Sequence, residues 1–379
     1  MLASGKVLIK ILLFTITFII AIWLAQYWSK KMALRGVNYD YSLSKKAVEI
    51  GESTAFISTI TNESRLFIPF IRMVEILPKI QMLTEGVVLE DDRVITGYST
   101  HKSTIYLMAR SQLHRHLEIS FKHRGCHVFR GAILQGGNFI GLVGKHKKFE
   151  KIHTVVVYPS LIQTPYLTEI LGGFLGDLSV RRFIMEDPIL TIGMREYTGK
   201  EPLNQISWKH TARTSQMLGN HQLMVKQFDY TTEMVVIVFL DISSDSYLEP
   251  QQYETCFSLA RTICQELEQR KIPFEFTTNA IIEGDYEKQS ASTRITQNLG
   301  KNHLQRILEK LGRAGYGANQ SYDAIVKSFE DCKEQNQSFI VIMPKRDIHK
   351  QKMARNLQTE PNGSLLFIHG EDFTEEEVV

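Results

Sequence analysis

The chain has 379 residues, 43% of them hydrophobic and 22% charged, with a net charge of +3. That length exceeds one ordinary domain and implies roughly two or three, each with apolar content enough for a packed core. So small a net charge excludes a dedicated nucleic-acid binder, whose mark is a strong basic excess.

Residues 1–35 read as a membrane anchor. The run VLIKILLFTITFIIAIWLAQYW (7–28) has an uncharged core, and as a helix it has about the length needed to cross ~30 Å of hydrocarbon. Lys10 can snorkel to the interface, and Trp23, Tyr27 and Trp28 cluster at the far end as interfacial aromatics do. A cleaved leader is the competing reading, but the apolar core is long for one and no clear small-x-small site follows it. The expectation is therefore a single-pass protein of the cell membrane with the lipid bilayer as one partner. Lys30, Lys31 and Arg35 follow the core, which leans the remaining domains toward the cytoplasmic side.

Residues 36–160 are expected to form a β-sandwich of immunoglobulin-like size. Alternation recurs in VNYDYSLS, TAFISTITN, STIYLMA and HLEISFK, with turn residues between. Residues 161–233 read as a connecting region, in which TPYLTEILGGFLGDLS is a short helix with glycine breaks. Residues 234–379 read as a doubly wound α/β domain. MVVIVFLDI is a continuous apolar run, as in a strand buried on both faces of a parallel sheet. An amphipathic helix opening on Glu249-Pro250 follows, then the strand IPFEFTTNA and the helix KNHLQRILEKLGRAG. A helix opened by Ser321 and the strands SFIVIMP and SLLFIHG complete the alternation.

Sites in open α/β sheets form beyond the C-terminal strand ends. The first such end here is FLDISSDSYLE, where Asp241, Ser243 and Asp245 alternate and could offer oxygen ligands to Mg²⁺ or Mn²⁺. The competing reading is a turn in which these side chains cap the next helix. His123, Cys126 and His127 pose the same choice between a metal cluster and a turn. GKHKKFEK lacks the remaining residues of a phosphate loop, and GRAGYGANQ lacks GxGxxG spacing. Four cysteines (Cys126, Cys256, Cys264 and Cys332) form no CxxC pair and read as reduced, mostly buried thiols. With no GxSxG elbow, no HExxH and no other activated-nucleophile pattern, the chain is expected not to be an enzyme.

The densest polar block is REYTGKEPLNQISWKHTAR (195–213). Arg195 and Glu196 are adjacent, so on a strand they point to opposite faces and are not a ready-made pair. Tyr197 and Trp208 supply apolar area, and Arg213 can fork to a carboxylate. This mix suits a packed structural junction, with Trp208 buried. The block resembles the signature of the bacterial family named domain of unknown function fifty-eight. Arg195, Glu196, Tyr197, Ile206, Trp208, Lys209, Ala212 and Arg213 match in register, and Glu201 stands at the family's acid. Asn204 and Ser207 depart from it. GESTAFISTITNES, VVVYPSL and NLGKNHLQRILEKL fit the family order, so the resemblance covers nearly the whole chain. It implies an N-terminal membrane anchor, a β-sandwich and a von Willebrand factor A-like α/β domain, with no enzymatic activity. It implies partnership with a MoxR-type AAA+ ATPase and a transglutaminase-like membrane protein, in a scaffold or adaptor role. The metal-adhesion motif of A domains, Asp-x-Ser-x-Ser, is matched at Asp241 and Ser243 and broken at Asp245. A metal-dependent adhesion or ligand-binding module is the alternative role.

Overall fold

The computed structural model describes residues 2–32, 34–79, 82–83, 89–91, 98–137, 143–184, 187–218, 222–229, 235–244, 248–284, 294–332, 337–358 and 363–373. The chain divides into two units, Met1–Pro159 and Ser160–Val379.

The first unit opens with α1 (Leu2–Met32). Among the described residues, no helix is long and apolar enough to cross a membrane. This finding corrects the single-pass anchor, and with it the expected cell-membrane location.

Among the described residues the strands β1 (Val37–Leu43), β2 (Ala47–Val48), β3 (Ser53–Asn62), β4 (Ile68–Pro78), β5 (Met82–Leu83), β6 (Leu89–Asp91), β7 (Tyr98–Leu107), β8 (Gln112–Ser120), β9 (Gly125–Gly137) and β10 (Val143–Val157) follow. They pair as two sheets, in the orders β1-β3-β8-β5 and β2-β10-β9-β4-β7-β6. Pairing is antiparallel except between β2 and β10. Alternate residues of both sheets meet in one core. Val37, Tyr39, Tyr41, Phe56 and Ile60 come from one sheet; Ile71, Met73, Phe129, Leu134 and Val155 come from the other. The period-two pattern in β1 and β3 thus became burial on one face. A buried Glu75 carboxylate sits in this unit, accepting from the Tyr39 hydroxyl at 3.1 Å and lying 3.0 Å from His101 Nδ1. Arg115 stands 3.5 Å away, so the buried charge has partners.

The second unit begins with α2 (Pro165–Ile184), followed by β11 (Asp187–Glu196), a 3₁₀ turn at Leu203–Gln205, α3 (Trp208–Leu218) and β12 (Met224–Asp229). β11 and β12 form an antiparallel pair of their own. Then come β13 (Val235–Leu240), α4 (Pro250–Gln269), β14 (Phe274–Thr278), β15 (Ala280–Ile282), β16 (Arg294–Asn298), α5 (Lys301–Arg313) and β17 (Ala314–Ala318). The chain continues through α6 (Tyr322–Asp331), β18 (Gln337–Met343), α7 (Ile348–Arg355) and β19 (Leu365–His369). The main sheet has the order β16-β14-β13-β18-β19. β13 runs parallel to β14 and β18, β18 runs parallel to β19, and β16 closes the edge antiparallel to β14.

This arrangement corrects the expected fold class. Among the described residues the unit is a mixed α/β fold with two separate two-stranded ladders, β11-β12 and β15-β17, and not the expected von Willebrand factor A-like domain. The reason lies in residues that carry no strand signal of their own. β16 (RITQN) is polar and mostly exposed, as an edge strand is, and β17 (AGYGA) reads as a glycine turn. The apolar strands were legible because both their faces are buried. Val236, Val238 and Leu240 pack into one cluster with residues of α4 and α5, while Ile237 and Phe239 pack into another with α6 and α7. Leu167, Leu171, Phe174, Leu175 and Leu178 of α2 belong to the first cluster. Their spacing is one helical face, so the start of the presumed connector is core. Gly172, Gly173 and Gly176 do not break the helix, which runs through them from Pro165 to Ile184, and a Cβ at any of them would meet nothing within 4 Å. Their cost is one of propensity, ~1 kcal/mol each relative to alanine, and burial of the apolar face outweighs it.

Candidate functional site

β13 ends against a buried polar network. Every residue of the strand is buried, and its ladder continues one step when the Asp241 amide donates to Ile342 O at 2.9 Å. Asp241 is fully buried (0% exposed), and a lone carboxylate there would be very costly. Its Oδ1 accepts from the Ser243 amide at 2.9 Å, the Ser243 hydroxyl at 2.6 Å and Asn279 Nδ2 at 2.6 Å. Asn279, between β14 and β15, also accepts from the Ile242 amide at 2.9 Å, which locks its orientation.

The other oxygen, Oδ2, takes the Lys350 ammonium at 2.7 Å. Lys350 Nζ also donates to Ser243 O at 2.7 Å and to Ser243 Oγ at 2.9 Å. An ammonium has three protons and no lone pair, so these three acceptors satisfy it. Its position is fixed by α7, whose N-cap Asp347 accepts from the His349 and Lys350 amides. The Tyr322 hydroxyl donates to Lys350 O at 3.0 Å, and the Tyr322 ring faces Nζ at 5.3 Å from its centroid.

The structure therefore brings Asp241 and Ser243 together, as the sequence predicted, but adds Lys350 and Asn279. Asp245 lies outside the described residues. The residues do not fit a bound Mg²⁺ or Mn²⁺, because Lys350 Nζ sits among the oxygens that would ligate it. Nor is Ser243 set up as a nucleophile: its hydroxyl donates to a carboxylate already paired with an ammonium, and among the described residues no free base faces it. His123, Cys126 and His127 do not assemble a cluster. The His127 ring stacks on Phe121, with Nε2 3.4 Å from the His123 carbonyl, and burial pushes its pKa down. Cys256 and Cys264 are wholly buried, which pushes both thiols up.

The signature block folds differently from the expected junction. Ile206 is buried and bridges to Val225 of β12, the Ser207 amide donates to Met224 O at 2.8 Å, and Thr211 Oγ1 accepts from the Met224 amide at 3.0 Å. These residues anchor α3 on β12. Trp208 is 65% exposed, and Lys209 and Arg213 are exposed as well. The buried Trp208 expected of a junction is thus corrected. Tyr197 and the exposed Glu196 flank a turn, where the Tyr197 amide donates to Leu223 O at 2.8 Å.

Arg195 finds its partner in Glu201, not Glu196. Glu201 accepts from the Thr198 hydroxyl at 2.6 Å, from Arg195 Nη1 at 2.5 Å and from the Thr198 amide at 3.0 Å. These bonds, the Thr198 hydroxyl foremost, hold its carboxyl down at about 2 against an ordinary 4.5. A depressed folded pKa means the stabilisation is present above the unfolded value and is lost as pH falls through the folded one. The Thr198 amide signal in an NMR acid titration is expected to move with a midpoint of about 2. A midpoint of 4.5, the ordinary value, would mean the turn does not hold in solution.

No protein-family model and no curated protein matches the chain. Among solved structures, a cohesin module from a Clostridium perfringens family 33 glycoside hydrolase is 12% identical, with a TM-score of 0.24 over 32% of this chain and 96% of that one. The CARDB domain of a Pyrococcus furiosus protein, solved with di-metal ions, is 9% identical, with a TM-score of 0.21 over 33% of this chain and 96% of its own. A β-glucosidase from Listeria innocua is 14% identical, with a TM-score of 0.20 over 32% of this chain and 16% of its own. Similarities of this size carry no argument about fold or activity.

Proposed function

We infer that the chain is a non-enzymatic scaffold or adaptor acting through protein–protein contacts, with a MoxR-type AAA+ ATPase as its partner. The observation that carries this reading is the exposure of the signature block. Leu203 and Trp208 are 69% and 65% exposed, with Lys209 and Arg213 exposed beside Trp208 in sequence. Exposed Trp and Arg on a rigid, backbone-anchored helix are the residue types that dominate binding energy at interfaces. The partner's identity rests on the resemblance of residues 195–213 to the family signature, as does a transglutaminase-like membrane protein as a further member of the assembly. The strand-end network, with its acceptors and donors already matched inside the chain, supports the non-enzymatic part.

Trp208→Ala is expected to leave the melting temperature unchanged and to weaken capture of a MoxR-type ATPase by at least about 2 kcal/mol, as for an interface hot spot. Pull-down with purified ATPase and calorimetry on the same pair check this. An unchanged affinity sinks the docking role of the block, and no affinity in the wild type sinks the ATPase.

A further inference from the structure

We propose that Lys350 is the resident cation of the strand-end site: its ammonium takes the place of a divalent metal, so the Asp241 site is metal-independent, and removing it uncovers a hard-cation site. The oxygens that surround Nζ are Asp241 Oδ2, Ser243 O and Ser243 Oγ, at 2.7, 2.7 and 2.9 Å. A carboxylate, a carbonyl and a hydroxyl are the hard donors Mg²⁺ and Mn²⁺ select. Their distances are those of N–H···O bonds, longer than the ~2.1 Å of a bound Mg²⁺. The charge is already balanced, one ammonium to one buried carboxylate. Entry of a metal would have to expel a side chain that is only 13% exposed and is held by its own backbone bond to Tyr322 and by the cap of α7. Lys350 lies 109 residues from Asp241 along the chain, so the substitution is of place, not of motif.

The test is Mn²⁺ binding to the full chain, followed by the paramagnetic signal of free Mn²⁺, with thermal melts in parallel. Wild type is expected to show no saturable binding and no change in melting with Mn²⁺ or a chelator. Lys350→Ala is expected to gain one saturable Mn²⁺ site and to melt higher when the metal is added. The double variant Asp241→Asn/Lys350→Ala should lose both. Lys350→Met, which keeps the stem against Tyr322 without the charge, guards against misfolding; if either single variant is unfolded, Mn²⁺ should restore its fold. Saturable wild-type binding that disappears in Asp241→Asn overturns the proposal. So do folded Lys350 variants that take no Mn²⁺, and unfolded ones that Mn²⁺ fails to rescue.

Discussion

Lys350→Ala is expected to lower the unfolding free energy of the α/β unit by about 3–5 kcal/mol, the cost of leaving a buried charge without its partner. Asp241 is fully buried and its Oδ2 takes Lys350 Nζ at 2.7 Å. Truncation removes that donor and also leaves Ser243 O without its bond at 2.7 Å. The Ser243 hydroxyl, its amide and Asn279 remain on Oδ1, so the carboxylate keeps hydrogen bonds but loses its counter-charge. The double variant Asp241→Asn/Lys350→Ala, which also lacks the lysine stem, should lose much less, because no charge is left stranded. Urea denaturation of the three proteins checks this. Equal losses in the single and the double variant would show that packing of the lysine stem, and not the ion pair, is what matters.

Gly131→Ala is the second large effect, with an expected loss of about 3 kcal/mol or more in the sandwich unit, the range of backbone strain plus overpacking. Gly131 sits in β9 between β10 and β4, at a register irregularity after the Gly131–Glu150 pair. Its φ is +98°, where side chains are rarely tolerated, and a Cβ there would lie 2.2 Å from Phe149 O. That oxygen belongs to the backbone of β10, which is paired with β9 there, and cannot swing away. Gly51→Ala is the control. Its φ of +80° is also positive, yet nothing lies within 4 Å of the added Cβ, so only the conformational term of about 1–2 kcal/mol applies. Melting curves by circular dichroism should rank the two in that order; equal destabilisation would remove the steric argument at Gly131.

The signature block shows why sequence density is a poor guide to burial. Arg195, Tyr197, Trp208 and Arg213 stand out because of their chemistry, and that chemistry serves a core and an interface equally well. The residues that hold the block are the unremarkable ones, Ile206, Ser207 and Thr211, which bond to β12. The one signal available was the pair of hydroxyls flanking an amphipathic turn, and it carries no partner information. The same limit applied to α2, where three glycines masked a helical apolar face. In α1 the apolar run alone suggested an anchor that the described residues do not sustain.

Local order in this protein was determined by the sequence itself wherever burial has a period. Alternation in β1 and β3, the continuous apolar run of β13 and the helical stripes of α4, α5 and α6 all report which faces meet a core. The Ser321 cap of α6, which accepts from the Ala324 amide at 3.3 Å, was equally legible, because a cap is a contact within one turn. Only the tertiary structure decided what stands across from what: the antiparallel edge at β16, the exposure of Trp208 and the lysine that fills the strand-end site. A period along the chain encodes the direction a side chain faces. It says nothing of a partner 109 residues away, and the chemistry of Asp241 depends on that partner.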